Sequence, residues 1–178
     1  SQFLGWESMG GDIQPGALYV VATPIGNLED MSPRAIRILR EVDRIACEDT
    51  RVTRRLCQGF QVKGNTLRHD SHNAAESALG IIDLLEKGET IALVTDAGTP
   101  AISDPGSHLV NAVRDAGLTV IPIPGPSALL AALSASGLPA DRFSFHGFIP
   151  KKRSAAKRMM EGLTPGVHAF FCPARDLR

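Results

Sequence analysis

The run TDAGTPAISDPG, residues 95–106, sets Asp96 and Asp104 among two glycines and two prolines, a mixture that suits neither helix nor strand. Glycine allows backbone angles and close approaches that a side chain forbids, and proline fixes φ and removes a donor. The shape of such a loop is written into it, and the chemistry it suits is holding a ligand with backbone groups. TPIGNLED, residues 23–30, has the same character but only Gly26 where a dinucleotide turn needs G-x-G-x-x-G, and Pro24 intrudes. That argues against NAD, and the P-loop pattern is missing as well.

Carboxylates and imidazoles supply the acid–base candidates. CEDTRVT, residues 47–53, sets Glu48 and Asp49 beside Thr50 and Arg51. Adjacent carboxylates there can orient a hydroxyl, pair with the arginine, or cap the following helix, with Asp49 or Thr50 as N-cap. RHDSHN, residues 68–73, brackets Asp70 with His69 and His72. Two imidazoles and a carboxylate are three possible metal ligands, but local spacing alone gives a metal little support, and no metal is expected. Polar contacts to a substrate or to neighbouring loops fit better, with Asn73 spent on a helix cap. In PIPGPSALL, residues 122–130, Gly125, Pro126 and Ser127 open a helix whose amides can hold a carboxylate or a ring nitrogen. Together these loops describe a polar, glycine-lined crevice without a phosphate motif. A cofactor carrying a carboxylate, an amine and a nucleoside fits it, and S-adenosylmethionine is one.

These loops need strands behind them. The apolar runs ALYVVA, VDRIACE, TIALVT and TVIPIP alternate with segments of helical period, and runs apolar on both faces suit a parallel sheet covered by helices. Ser32 and Pro33 form an N-cap and first-turn pair ahead of Ala35, Ile38, Leu39 and Val42 on one face. Asn73 and Glu76 resemble a capping box ahead of a stripe of Ala75, Ala78, Leu79, Ile82 and Leu85, with Gly88 past the end. A third helix carries Leu109, Ala112, Val113 and Ala116 before Gly117, and a fourth opens at Pro126 and closes near Gly137. The order predicts an α/β fold, an open, mainly parallel sheet with flanking helices. RFSFHGF ends that domain in this reading: residues 1–16 are a loose leader, 17–148 the α/β domain, and 149–178 a basic linker and the start of a second, incomplete α/β domain.

Composition narrows the class. With 178 residues, 43% apolar and formally uncharged overall, the chain can bury a core, and any affinity for nucleic acid must come from local clusters. KKRSAAKR, residues 151–158, is one such cluster: Lys151, Lys152, Arg153, Lys157 and Arg158 without an acid among them. Arg51, Arg54 and Arg55 form another. Cys47, Cys57 and Cys172 show no CxxC pair and read as small buried residues of a reducing compartment. No stretch reads as a signal peptide or membrane span, which makes cytoplasm the expected location.

In order along residues 17–153, ATPIGNLEDMSPRAIRIL, CEDTRVTRRL, HDSHN, TDAGTPAISDPG, PIPGPSALLAALSASGLPADRFSFHGF and PKK resemble the tetrapyrrole-methylase superfamily. More narrowly, they are similar to its branch acting on the ribose of a cytidine in small-subunit (16S) ribosomal RNA. The branches differ in the fourth-strand loop, which tends to read GDP in the tetrapyrrole C-methylases and reads DAG here. The resemblance implies a two-domain homodimer that binds S-adenosylmethionine between its domains. It assigns the cofactor to Pro24, to Asp96, Ala97, Gly98, Ser103 and Asp104, and to Gly125, Pro126, Ser127 and Ala128. A ribose hydroxyl is a weak acid, so a base beside it helps. Glu48, Asp49, Asp96 and His72 are the candidates, with Glu48 or Asp49 favoured on the substrate side and Asp96 on the cofactor side. Arg51, Arg54, Lys151, Lys152 and Arg153 are the expected RNA contacts. A tetrapyrrole C-methyltransferase and a non-catalytic RNA-binding module are the alternatives.

Overall fold

The structure, a computed structural model, describes residues 11–103 and 106–173. Five parallel strands, β1 (Ala17–Val21), β2 (Arg44–Cys47), β3 (Thr66–Arg68), β4 (Ile91–Leu93) and β5 (Thr119–Ile123), form one sheet in the order β3-β2-β4-β1-β5. Between them run α1 (Pro33–Glu41), α2 (Thr50–Gly59), α3 (Ala74–Glu86) and α4 (Gly106–Asp115). The period of two along each strand splits the core in half. Ala17, Tyr19, Val21, Ile45 and Cys47 face the α1 and α2 side, where they meet Ala35, Ile38, Leu39 and Cys57. Leu18, Ala46, Ile91 and Leu93 face the other side, against Ile81 and Leu85 of α3 and Leu109 and Val113 of α4. β1, β2 and β4 are buried on both faces, as their apolar runs required, while β5 at the edge of the sheet is largely exposed or half-buried.

Helix ends follow from capping chemistry. The Ser32 side chain accepts from the Ala35 amide at 3.0 Å, with Pro33 in the first turn, and Gly88 and Gly117 sit just past α3 and α4 at φ +89° and +74°. Asn73 behaves differently from the expected cap: its side chain makes no capping bond to α3. Instead its Oδ1 accepts from the Asp70 amide at 2.8 Å and its Nδ2 donates to the Arg68 carbonyl at 3.1 Å. Asp70 does the organising, its Oδ1 accepting from the amides of His72 and Asn73. Cys47 and Cys57 are buried as expected, whereas Cys172 is exposed.

The chain divides into two compact units after Ser127. The second unit holds α5 (Ala128–Ala135), β6 (Phe143–Phe148), α6 (Arg153–Glu161) and β7 (Val167–Phe171). Among the described residues β6 pairs only with β7, in parallel. The expected domain, residues 17–148, runs past this division, because an apolar run carries no mark of its partner. A register shift lies between Phe145 and Phe148, where Gly147 takes φ +69°. Here His146 Nε2 lies 2.8 Å from His168 Nδ1, and His168 Nε2 lies 2.7 Å from the Thr164 carbonyl. A carbonyl only accepts, so His168 donates through Nε2; with both rings neutral, its Nδ1 accepts from His146.

Acid should loosen the first unit. Asp43 is held below the usual carboxylate range, chiefly by the Thr90 amide and hydroxyl donating to it. Burial alone would raise Asp70, but bonds from the His72 and Asn73 amides and Arg68 leave it lowered too. Lowered native values mean that the unfolded chain binds more protons over this range, so stability rises with pH. The contribution is complete above the unfolded value of about 3.9 and is lost as pH falls through the native values. Thermal melts followed by circular dichroism should hold steady down to about pH 4 and then fall, and Asp43→Asn should fall less steeply there.

Candidate active site

The carboxyl ends of β1, β4 and β5 are knitted into one rim. Beyond β1, the Thr23 amide donates to the Gly98 carbonyl and the Gly98 amide to the Thr23 carbonyl, both at 3.0 Å, as an isolated antiparallel bridge. Thr23 Oγ1 donates to the Thr95 carbonyl at 3.3 Å, and Thr99 Oγ1 to the Pro126 carbonyl at 2.9 Å. Gly98 sits at φ +87°, and a Cβ on it would lie 3.3 Å from Ile25 Cγ2. A Cβ on Gly125 would lie 2.9 Å from Ala22 Cβ, closer than real Cβ atoms come. Ala101 holds φ +65°, a region costly for a residue with a side chain. The glycines thus fill a steric need, and they leave backbone rather than side chains along the rim.

Of the expected cofactor residues, Pro24, Asp96, Ala97 and Gly98 lie on this rim, as do Gly125, Pro126 and Ser127 after β5, with Ala128 opening α5. Ser103 is exposed farther along the loop; Asp104 lies outside the described residues. Backbone groups at two loop turns, with no phosphate cradle, suit the carboxylate, amine and nucleoside of S-adenosylmethionine.

The acid–base candidates separate. Asp49 caps α2, its Oδ1 accepting from the Arg51 amide at 2.9 Å, and it pairs side-on with the Arg51 guanidinium. Those bonds hold its carboxyl at about 2, so it stays ionised and is a weak proton acceptor near neutrality. Half-buried Glu48 lines a cavity of about 300 Å³ with Asp49, Thr50, Arg51 and Arg68. His72 is exposed in the turn after β3, the sheet's edge strand, with β2 between β3 and β4.

A second cavity, about 330 Å³, opens on the α2 side of the rim, where Thr23, Thr95 and Asp96 meet Leu28, Val52 and Arg55. In open α/β sheets ligands collect at carboxyl ends where neighbouring connections diverge, and β2 leads outward to β3 while β4 leads the other way to β5. Asp96 lies at that divergence. Burial pushes its carboxyl above the ordinary value; a bond from the Asp49 backbone opposes the push and the Asp49 charge adds to it. By sequence, Asp96 belongs with the cofactor and Arg55 counts only as charge. Leu28, in a 3₁₀ turn (Leu28–Asp30) capped by Asn27, and Val52 escape notice there. Their signal is faint: an apolar residue in a polar loop and another on the outer face of a basic helix.

Among the expected RNA contacts, Arg51 is tied to Asp49 but its side chain is still 83% exposed. Arg54 is exposed, as are Lys151, Lys152 and Arg153 at the start of α6. Lys157 lies 3.7 Å from Glu161 one turn on, so the basic run does carry an acidic partner. Among the described residues, no helix is long and apolar enough to cross a membrane.

Residues 17–165 match the family of Tetrapyrrole (Corrin/Porphyrin) Methylases. A relative from Xylella fastidiosa, named Ribosomal RNA small subunit methyltransferase I, is 57% identical over 143 residues, which are 80% of this chain and 52% of that protein. A relative of the same name from Pseudomonas aeruginosa is 51% identical over 148 residues, 83% of this chain and 52% of its own. The chain therefore spans about half the length of these curated relatives. Among solved structures, a diphthine synthase shares the fold with a TM-score of 0.63 at 17% identity, covering 82% of this chain and 59% of that one.

Proposed function

The chain belongs to the tetrapyrrole (corrin/porphyrin) methylases, and from that premise we propose that the protein transfers a methyl group from S-adenosylmethionine to the 2′-hydroxyl of a cytidine in 16S ribosomal RNA. The observation that carries the reading is the knitted, glycine-faced rim of Thr23, Gly98 and Gly125. It offers backbone to a donor without phosphates, and it lies in a chain that matches proteins named for ribosomal RNA.

When bound, S-adenosylmethionine supplies an electrophilic methyl carbon, the electron pair of the broken C–S bond remaining on sulfur. The residues of this chain have the work of alignment: Ala97, Gly98 and Gly125 to Ser127 hold the donor side, Asp96 stands where donor and RNA sides meet, and the α2 side receives the RNA. Alignment alone can contribute about 7–11 kcal/mol in favourable cases. Lys151, Lys152 and Arg153, at a helix start whose dipole is also positive, contact phosphates, together with Arg54.

The same reading makes the protein a cytoplasmic homodimer acting on the small ribosomal subunit. Supporting the dimer, α5 is apolar except for Ser134, yet none of its residues is buried. Tritiated donor incubated with small subunits should place label in 2′-O-methylcytidine after nuclease digestion. Label in a porphyrinogen instead would overturn the reading.

A further inference from the structure

The cavity on the α2 side of the rim has features that donor binding does not use. Leu28, Val52 and Ile25 are 56%, 37% and 38% exposed around the end of the sheet, an apolar surface left in water beside the polar Thr23, Thr95 and Asp96. Arg55 lines the cavity and its guanidinium makes no hydrogen bond or ion pair among the described residues, while Arg51, one turn earlier on α2, is paired with Asp49. A volume of about 330 Å³ is at the small end of ligand pockets, which run to about 1,000 Å³. It has room for one nucleoside.

We propose that this cavity receives a single nucleotide of the RNA, turned out of its stack, with the base against Leu28 and Val52, an adjoining phosphate on Arg55 and the ribose at Asp96. The proposal deepens the reading above and rests on it. Each part answers a requirement of that nucleotide. RNA recognised one nucleotide at a time is commonly taken as unpaired bases splayed out of the helix, and such a base loses its stacking partners; aliphatic side chains already exposed to water replace them at little further cost. A guanidinium without a carboxylate partner can give its donors to a phosphate. Asp96, rather than Asp49, takes the hydroxyl proton on a carboxylate oxygen as the new O–C bond forms. Its raised carboxyl suits that task better than one held at about 2.

The test uses the full-length protein and small ribosomal subunits. Arg55→Ala and Leu28→Gln, both at exposed positions, should raise KM for the subunit about tenfold or more, with calorimetric affinity for S-adenosylmethionine and melting temperature unchanged. Asp96→Asn should lower kcat by about 10²- to 10⁴-fold and remove the acidic limb of the pH–rate profile. Unchanged KM in the first two variants, with wild-type protein still labelling 16S RNA, overturns the pocket and leaves the reaction standing. If only Asp96→Asn is silent, its catalytic role is overturned. Wild-type protein that labels no ribosomal RNA overturns the pocket and the reaction together.

Discussion

Gly125→Ala in the full-length protein should weaken S-adenosylmethionine binding by about tenfold or more, read by calorimetry. The cause is steric. The new methyl would lie 2.9 Å from Ala22 Cβ and 3.4 Å from the Ala22 carbonyl oxygen, and Ala22 itself is 1% exposed and follows the interior strand β1. Neither neighbour is the free end of a long side chain, so relief must come from the β5 loop moving outward. That loop is tied through Pro126 to Thr99, and the β4 loop through Gly98 to Thr23. Displacing one part of the rim therefore displaces the others, and overpacking of this kind typically costs about 1–3 kcal/mol. Gly117→Ala is the control: at φ +74° it carries backbone strain, but nothing lies within 4 Å of its added methyl. It should cost about 1 kcal/mol of stability and leave donor affinity alone. Equal donor affinity in the Gly125 variant and the unaltered protein would remove the rim from the cofactor site.

The contrast between these two glycines shows what was legible in the sequence. Local rules were: β1, β2, β4 and β5 announced themselves through apolar runs, Ser32 and Pro33 through capping, and Gly88, Gly117 and Gly137 through helix ends, whereas the short β3, with Leu67 its one apolar residue, did not. The rim loops stood out because Gly and Pro constrain the backbone wherever they occur. What stayed hidden depends on distance across the fold. Nothing near Gly125 in the chain names Ala22 as its neighbour, and nothing in RFSFHGF says that it pairs with β7. Asn73 does not cap α3 with its side chain, because its side chain and that of Asp70 are both spent inside the turn before the helix, and only the turn decides which side chain faces which amide. The three arginines of α2 are equivalent as letters. Asp49, reaching back as the cap, engages Arg51 and leaves Arg54 and Arg55 available.

That difference among arginines bears on how the RNA is held. Replacing Lys151, Lys152 and Arg153 together by Ala should lower the steepness of log K against log salt for RNA binding by about three, one unit for each phosphate no longer neutralised. Affinity at low salt should fall correspondingly, with donor affinity unchanged. All three side chains are exposed, and Lys152 as N-cap makes no side-chain capping bond, so their removal takes away charge and leaves the helix start intact. Lys157 is a weaker candidate, since Glu161 offsets its charge. Along α2 the same logic orders two single variants. Arg54→Ala removes a cation that has no carboxylate partner among the described residues and should reduce the slope by about one. Arg51→Ala removes a cation already matched by Asp49, and should change the slope less while exposing the Asp49 carboxylate. An equal change in the two would mean that the Asp49–Arg51 pair opens when RNA arrives. An unchanged slope in the triple variant, measured by filter binding over a salt series, would take the start of α6 out of the RNA surface.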